Sequence, residues 1–183
     1  MNDRDTELLG LRYGAVEVVP HRPEWRACFE AERQRLAAVI ALGVAIEHVG
    51  STAVADLLAK PILDLALGLP EGLSFEVVRT ALEGAGYLYR GDKGDDGGHV
   101  FVRGPRPDLR THHLHVVPLA GRQWREYLAL RQHLRRSEAA RRRYDAIKRQ
   151  LAEQHAGDRG AYTAGKGEVV EALLGEAAAV EER

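Results

Sequence analysis

His48-Val49-Gly50-Ser51-Thr52, followed after a short interval by Lys60-Pro61-Ile62-Leu63-Asp64-Leu65-Ala66-Leu67, is the stretch whose reading decides the fold. Ala45 to Val49 and Ile62 to Leu69 are apolar runs of strand length, and the segment around 54–59 between them leans towards helix. The first strand thus runs straight into a glycine and two hydroxyl residues. Such a turn suits an anion, because glycine lets the backbone approach closely, exposed N–H groups point at the ligand, and hydroxyls add donors. The same letters also serve as an ordinary helix N-cap. Asp64, alone in an apolar strand, demands a partner: a buried carboxylate is costly unless it is paired, hydrogen-bonded or bound to a metal. Pro61 cannot donate to a ladder, so it fits a sheet edge or the first strand position.

Working outward, Pro23 suits the first turn of a helix, in which Trp25, Phe29, Leu36, Val39 and Ile40 recur at helical spacing until Gly43. Before it lies the apolar run Val16 to Val19, and residues 1–14 read as a loosely ordered, polar arm. On the other side, Phe75, Val78, Leu82 and a closing Gly84 mark a second helix. Tyr87 to Tyr89, Val100 to Val102 and Leu114 to Pro118 are short strand candidates, with a glycine-rich loop over 91–98 expected to be mobile. From Arg122 onward the apolar spacing is helical. These elements predict an α+β fold, a mixed β-sheet flanked by helices with a helical C-terminal half. They form one domain over residues 15–175, with a frayed acidic tail over 176–183.

Composition narrows the class without naming a partner. With 45% hydrophobic and 29% charged residues and a net charge of -1, the chain of 183 residues is neither disordered nor membrane-embedded in type. The single cysteine, Cys28, excludes an intramolecular disulfide framework and a cysteine-rich zinc site and fits a reducing compartment. Residues 1–12 carry no signal-peptide core, and no run approaches the roughly eighteen apolar residues of a membrane span, so a cytoplasmic location is expected. Charge is nevertheless segregated: Gly121 to Gln150 holds ten Lys and Arg against three acids. RNA is one partner such a stretch admits, although it lacks an aromatic stacking array. Arg141-Arg142-Arg143 spans too much of a helix to address one ligand and reads as a solvated face.

Several motifs in order carry a resemblance. His48-Val-Gly-Ser-Thr-Ala-Val, Ala59-Lys-Pro-Ile-Leu-Asp-Leu and His113-Leu-His-Val resemble the signature of the GrpB family, whose fold is similar to that of nucleotidyltransferases. The likeness runs from about Val16 to Leu174 and includes Trp25, Arg131, Arg135, Tyr144, Leu151, Arg159, Tyr162 and Lys166. It implies that Gly50, Ser51 and Thr52 hold a triphosphate and that Asp64 holds a divalent metal, magnesium or another first-row ion. The superfamily's second acid falls at position 66, where this chain has Ala66. One carboxylate plus substrate phosphates holds magnesium weakly. The family usually has Pro-Gly where Ala55-Asp56 stands here, and an Arg where His99 stands.

The remaining candidates gather around that centre. His113 and His115, at i and i+2 on a strand, share a face and can flank Asp64 as metal ligand, general base or phosphate partner, or else form a hydrogen-bonded pair covering the sheet. His112 points to the opposite face. Trp124, Leu128, Arg131 and Arg135 follow one helix stripe, whose two guanidinium groups suit a bidentate phosphate clamp. Lys60 supplies charge at the strand mouth, and His48, Lys148, Arg159, Tyr162 and Lys166 form a second tier. The expected activity is a nucleotide- and metal-dependent transferase, passing a nucleotidyl group from a nucleoside triphosphate, ATP above all, to a small-molecule acceptor, or activating a small acid by adenylation. The alternative is a non-catalytic nucleotide- or phosphometabolite-binding regulatory module.

Overall fold

Burial on both faces explains why the strand segment 62–69 reads as an apolar run with a single charged residue, Asp64. The computed structural model describes residues 8–40, 43–94 and 98–181. A two-residue strand, β1 (Leu11–Arg12), is followed by helix α1 (Glu24–Ile40), β2 (Ala45–Val49), one 3₁₀ turn (Ser51–Ala53) and β3 (Leu63–Leu69). Then come α2 (Phe75–Gly84), β4 (Leu88–Asp92), β5 (His99–Arg103), β6 (Leu109–Arg110) and β7 (His112–Pro118). Four helices close the chain: α3 (Arg122–Arg136), α4 (Glu138–Gln154), α5 (Arg159–Ala164) and α6 (Gly167–Glu181).

Five strands form a mixed sheet of order β2-β3-β7-β5-β4, in which β3 and β7 are parallel and every other pair is antiparallel. Period-two alternation sorts the side chains of β3 and β7. Leu63, Leu65, Leu67, Leu114 and Val116 face the main core, against Trp25, Phe29, Leu36 and Ile40 of α1 and Val78 and Leu82 of α2. The other face carries Asp64, Ala66, His113, His115 and Val117, with Asp64 opposite His113 and Ala66 opposite His115 in the ladder. Helix α3 covers part of it: Ala66, Val117 and Val49 pack with Trp124, Tyr127 and Leu128. Gly68 allows this approach, since a Cβ there would lie 3.0 Å from the Trp124 ring. The Asp64–His113 end is left to line a cavity.

Three expectations are corrected. The segment around 54–59 is not helical; the helical turn comes earlier, at Ser51–Ala53, and Val54 and Leu57 anchor the following chain under Leu134, Ala140, Tyr144 and Leu173. The predicted loose arm over 1–14 is packed where it is described. Leu9 and Leu11 are buried, β1 pairs antiparallel with β6, the Gly10 N–H donates to the Pro61 carbonyl at 2.8 Å, and Trp25 Nε1 donates to the Leu8 carbonyl at 3.0 Å. Its few leucines are too closely spaced to show a period, yet each finds the core. The expected frayed tail is helical through Glu181, with Ala177 buried. Alanines favour helix, and His133 and Arg143 both reach Glu176. Residues 1–7, 95–97 of the expected mobile loop, and 182–183 lie outside the described residues. Pro61 meets neither the edge nor the first-position reading: it lies two residues ahead of β3, an interior strand flanked by β2 and β7. Among the described residues no helix is long and apolar enough to cross a membrane.

Candidate functional site

The site begins at the end of β2, where Val49 pairs with Asp64 and the chain must turn immediately above that carboxylate. Only glycine meets the requirement. Gly50 has φ 68, in the left-handed region, and a Cβ there would stand 2.5 Å from Asp64 Oδ2. The turn is then fixed from behind. His48 Nε2 and Thr52 Oγ1 lie 2.9 Å apart, and the His48 ring stacks on Phe29 at 4.7 Å. Burial lowers the His48 pKa to about 4, with Arg135 and Arg131 adding to it against the pull of Asp64, so its imidazole is neutral. Arg131 Nη1 donates to Glu47 and to the His48 carbonyl, both at 2.7 Å, and Arg135 Nη2 donates to the Ala53 carbonyl at 2.8 Å.

Parallel register sets His113 beside Asp64, with His113 Nδ1 and Asp64 Oδ1 3.1 Å apart. Arg159 Nη2 lies 3.4 Å from His113 Nε2. These contacts assign the tautomer: Nδ1–H donates to the carboxylate, and Nε2 accepts from the guanidinium. Burial alone would raise the Asp64 carboxyl, but the His113 hydrogen bond and the electrostatic pull of His113, His115 and Lys166 outweigh it and hold the group below its ordinary value. His115, opposite Ala66, tilts against Tyr127 at 5.4 Å.

Both groups open into a cavity of about 360 Å³. Gly50, Ser51 and Thr52 form one wall, and Lys60, Arg131, Lys148, Arg159 and Lys166 line the rest with Tyr127, Tyr144 and Tyr162. The lining therefore sets five cations against one carboxylate. Lys148 is almost fully buried, paired with Asp145 at 2.9 Å and bonded to the Leu58 carbonyl, and burial lowers it to about 8 despite Asp145. The Lys60 amine sits 4.1 Å and the Lys166 amine 4.9 Å from the centre of the Tyr162 ring. Burial, then Lys166 and Arg159, push Lys60 down to about 7.

Most of the expected residues are gathered here: Gly50, Ser51, Thr52, Lys60, Asp64, His113, His115, Arg131, Lys148 and Lys166. Arg135 and His48 do not line the cavity; they hold the turn from outside. Tyr127 is a lining residue that sequence reading missed, because an aromatic at helical spacing is ordinarily core. The basic run also has internal partners. Arg122, Arg142 and Arg143 pair with Glu126, Glu138 and Glu176, and Arg141 donates to the carbonyls of Leu134 and Arg135 at the end of α3.

The donor set does not fit a two-metal centre. Among the described residues no group of three or more His, Cys, Asp or Glu side chains can hold a metal ion. Asp64 Oδ1 is already engaged by His113, the second-acid position is Ala66, and the surrounding charge is positive rather than negative.

A mixed five-stranded sheet flanked by helices, with a glycine-serine turn and an aspartate on an interior strand, defines an α+β protein whose cavity opens at that turn. The chain belongs to the GrpB protein family, whose pattern matches residues 15–176. It is 43% identical over 167 residues to a UPF0157 protein of Pseudomonas aeruginosa, across 90% of this chain and 68% of that protein. It is also 33% identical to the glutamate-rich protein GrpB of Alkalihalophilus pseudofirmus, across 92% of this chain and 99% of that one. The crystal structure of conserved protein GrpB from Enterococcus faecalis superimposes with a TM-score of 0.80 at 31% identity, covering 91% of this chain and 100% of that chain.

Proposed function

We propose that this cavity binds a phosphorylated small molecule of the nucleoside triphosphate class, ATP being the first ligand to try, with its polyphosphate at the Gly50-Ser51-Thr52 turn. The observation that carries the reading is the charge of the lining, five basic side chains to one carboxylate around the Gly50-Ser51-Thr52 turn. Anions are the ligands that relieve such a field. The cellular setting proposed is the cytoplasm, in keeping with the single Cys28. RNA draws less support, since the basic helical stretch spends much of its charge on Glu47, Glu126, Glu138, Asp145 and Glu176.

The test is a melting-temperature series with ATP, ADP, AMP and adenosine, because a ligand bound only by the native state raises the transition. Stabilisation should grow with each phosphate. Adenosine stabilising as strongly as ATP, or no nucleotide stabilising at all, contradicts the proposal.

One arrangement favours a second reading, transferase activity. Asp64 orients the His113 imidazole in the manner of a general base whose tautomer is fixed by a carboxylate. In nucleotidyl transfer an acceptor hydroxyl would attack the α-phosphorus, its proton passing to His113 Nε2 as pyrophosphate leaves; a carboxylic acid acceptor would give an acyl adenylate and pyrophosphate. Pyrophosphate release from ATP with candidate acceptors is the readout. In His113→Asn release should stop while nucleotide binding persists, and unchanged release excludes His113 as the base.

A further inference from the structure

The cations of the cavity are not equivalent. Arg131 is compensated by Glu47 at 2.7 Å and Lys148 by Asp145 at 2.9 Å. Among the described residues no carboxylate forms an ion pair with Lys60, Arg159 or Lys166. Asp64, the acid facing them across the cavity, is hydrogen-bonded to His113. Lys60 and Lys166 both place their amines against the single ring of Tyr162, and Arg159 opens the same short helix that carries that tyrosine. Burial lowers the pKa of both lysines, Lys166 and Arg159 add to it at Lys60 and Arg159 at Lys166, and Asp64 pulls the other way. Three partly desolvated charges of one sign are held together here at a cost to the empty protein.

In sites that use magnesium, the ion bridges the phosphate oxygens and neutralises them, and carboxylates hold the ion. This cavity inverts that arrangement. Carboxylates are scarce, the second-acid position is the buried Ala66, and the positive charge is built into the chain. A metal-bound triphosphate would arrive partly neutralised and would bring a further cation towards Lys60 and Lys166.

Building on the polyphosphate reading above, we propose that the cavity takes its polyphosphate free of metal, with Lys60, Arg159 and Lys166 supplying the counter-charge that divalent ions supply elsewhere. The same three side chains replace the metal as the element that orients the phosphates. Arginine contributes a planar fork and the lysines compact point charges, a combination suited to a chain of adjacent phosphate groups.

The test is calorimetric titration of the whole chain with ATP and with inorganic tripolyphosphate, each in excess EDTA and in excess magnesium. Both ligands should bind in EDTA at least as tightly as in magnesium. Lys60→Met and Lys166→Met should each weaken binding about tenfold or more, the scale of one charge-assisted contact. Neither variant should melt below the parent when free of ligand, because each removes a repelling, desolvated charge and keeps an apolar side chain of similar length. That second readout separates a lost ligand contact from a damaged fold. Tighter binding in magnesium than in EDTA, or parental affinity in both lysine variants, overturns the metal-free site and leaves the polyphosphate reading standing. Failure of both ligands to bind in either buffer overturns the polyphosphate reading itself.

Discussion

Asp56 occupies a position that the backbone reserves for another residue. Its φ is 58, in the left-handed region, where a side chain is strained and Asp is among the better tolerated types. The resemblance puts a glycine here in most of the family, and the dihedral supplies the reason. Asp56→Gly should therefore stabilise the chain modestly, by about 0.5 kcal/mol, once glycine's greater unfolded-state freedom is set against the relieved strain. Urea denaturation would measure it, and a destabilised variant would show that the Asp56 side chain does more than occupy the turn. Histidines decide the acid limit. Burial holds His48 at about 4 and His112 at about 3, whereas an unfolded histidine titrates near 6.5. Above 6.5 neither group affects the slope of stability with pH. As pH falls from 6.5 towards 4, the unfolded chain takes up protons that the native chain refuses, so stability drops, by on the order of a few kcal/mol for the two together. Melting temperatures between pH 7 and 4 should show this fall, and in His112→Gln the fall should be shallower; an equal slope removes His112 from the account.

Strands β3 and β7 were legible because interior strands bury much of both faces and so read as largely apolar runs, interrupted by Asp64 in β3 and by His113 and His115 in β7. Their pairing was not. Nothing in either segment states that β7 lies parallel to β3, so the step from His113 as a strand residue to His113 as the partner of Asp64 required the fold. Strands β1 and β6 are two residues each, too short for any period to show. On α3, one stripe joined Arg131 to Arg135, but helical spacing cannot say where along the stripe the cavity ends. Arg131 lines it; Arg135, one turn on, is spent on the Ala53 carbonyl. The same register makes Ala66 a test of the donor set. It is fully buried among Val49, Val117 and Trp124. Ala66→Asp restores the second acid that the resemblance implies but places a carboxylate in the apolar cluster with Val49, Val117 and Trp124, two residues from Asp64, and should cost about 3 kcal/mol or more in EDTA. Manganese should return part of that loss in the variant and leave the parent unmoved. An equal response from the parent would mean that its own residues already make a competent metal centre.

At the scale of the molecule, the helical half holds the strand half in working shape. Arg131 and Arg135 grip the backbone around the Gly50 turn, and Asp145 Oδ1 accepts from the Leu58 N–H at 3.0 Å while Lys148 donates to the Leu58 carbonyl. These bonds join residues separated by 82 to 90 positions in sequence, and the Asp64–His113 contact spans 49. The consequence is kinetic. Contacts of such long separation form only after loop closure, which makes them late events in folding. Local helices and the antiparallel β4–β5 pair can assemble early, yet the site has no local precursor. In a refolding experiment, far-ultraviolet circular dichroism should recover before affinity for polyphosphate does, and the two signals returning together would show that the site needs no late closure. The newly made chain would then carry its cationic cavity only at the moment it is complete, so that capture of a ligand doubles as a record that folding has finished.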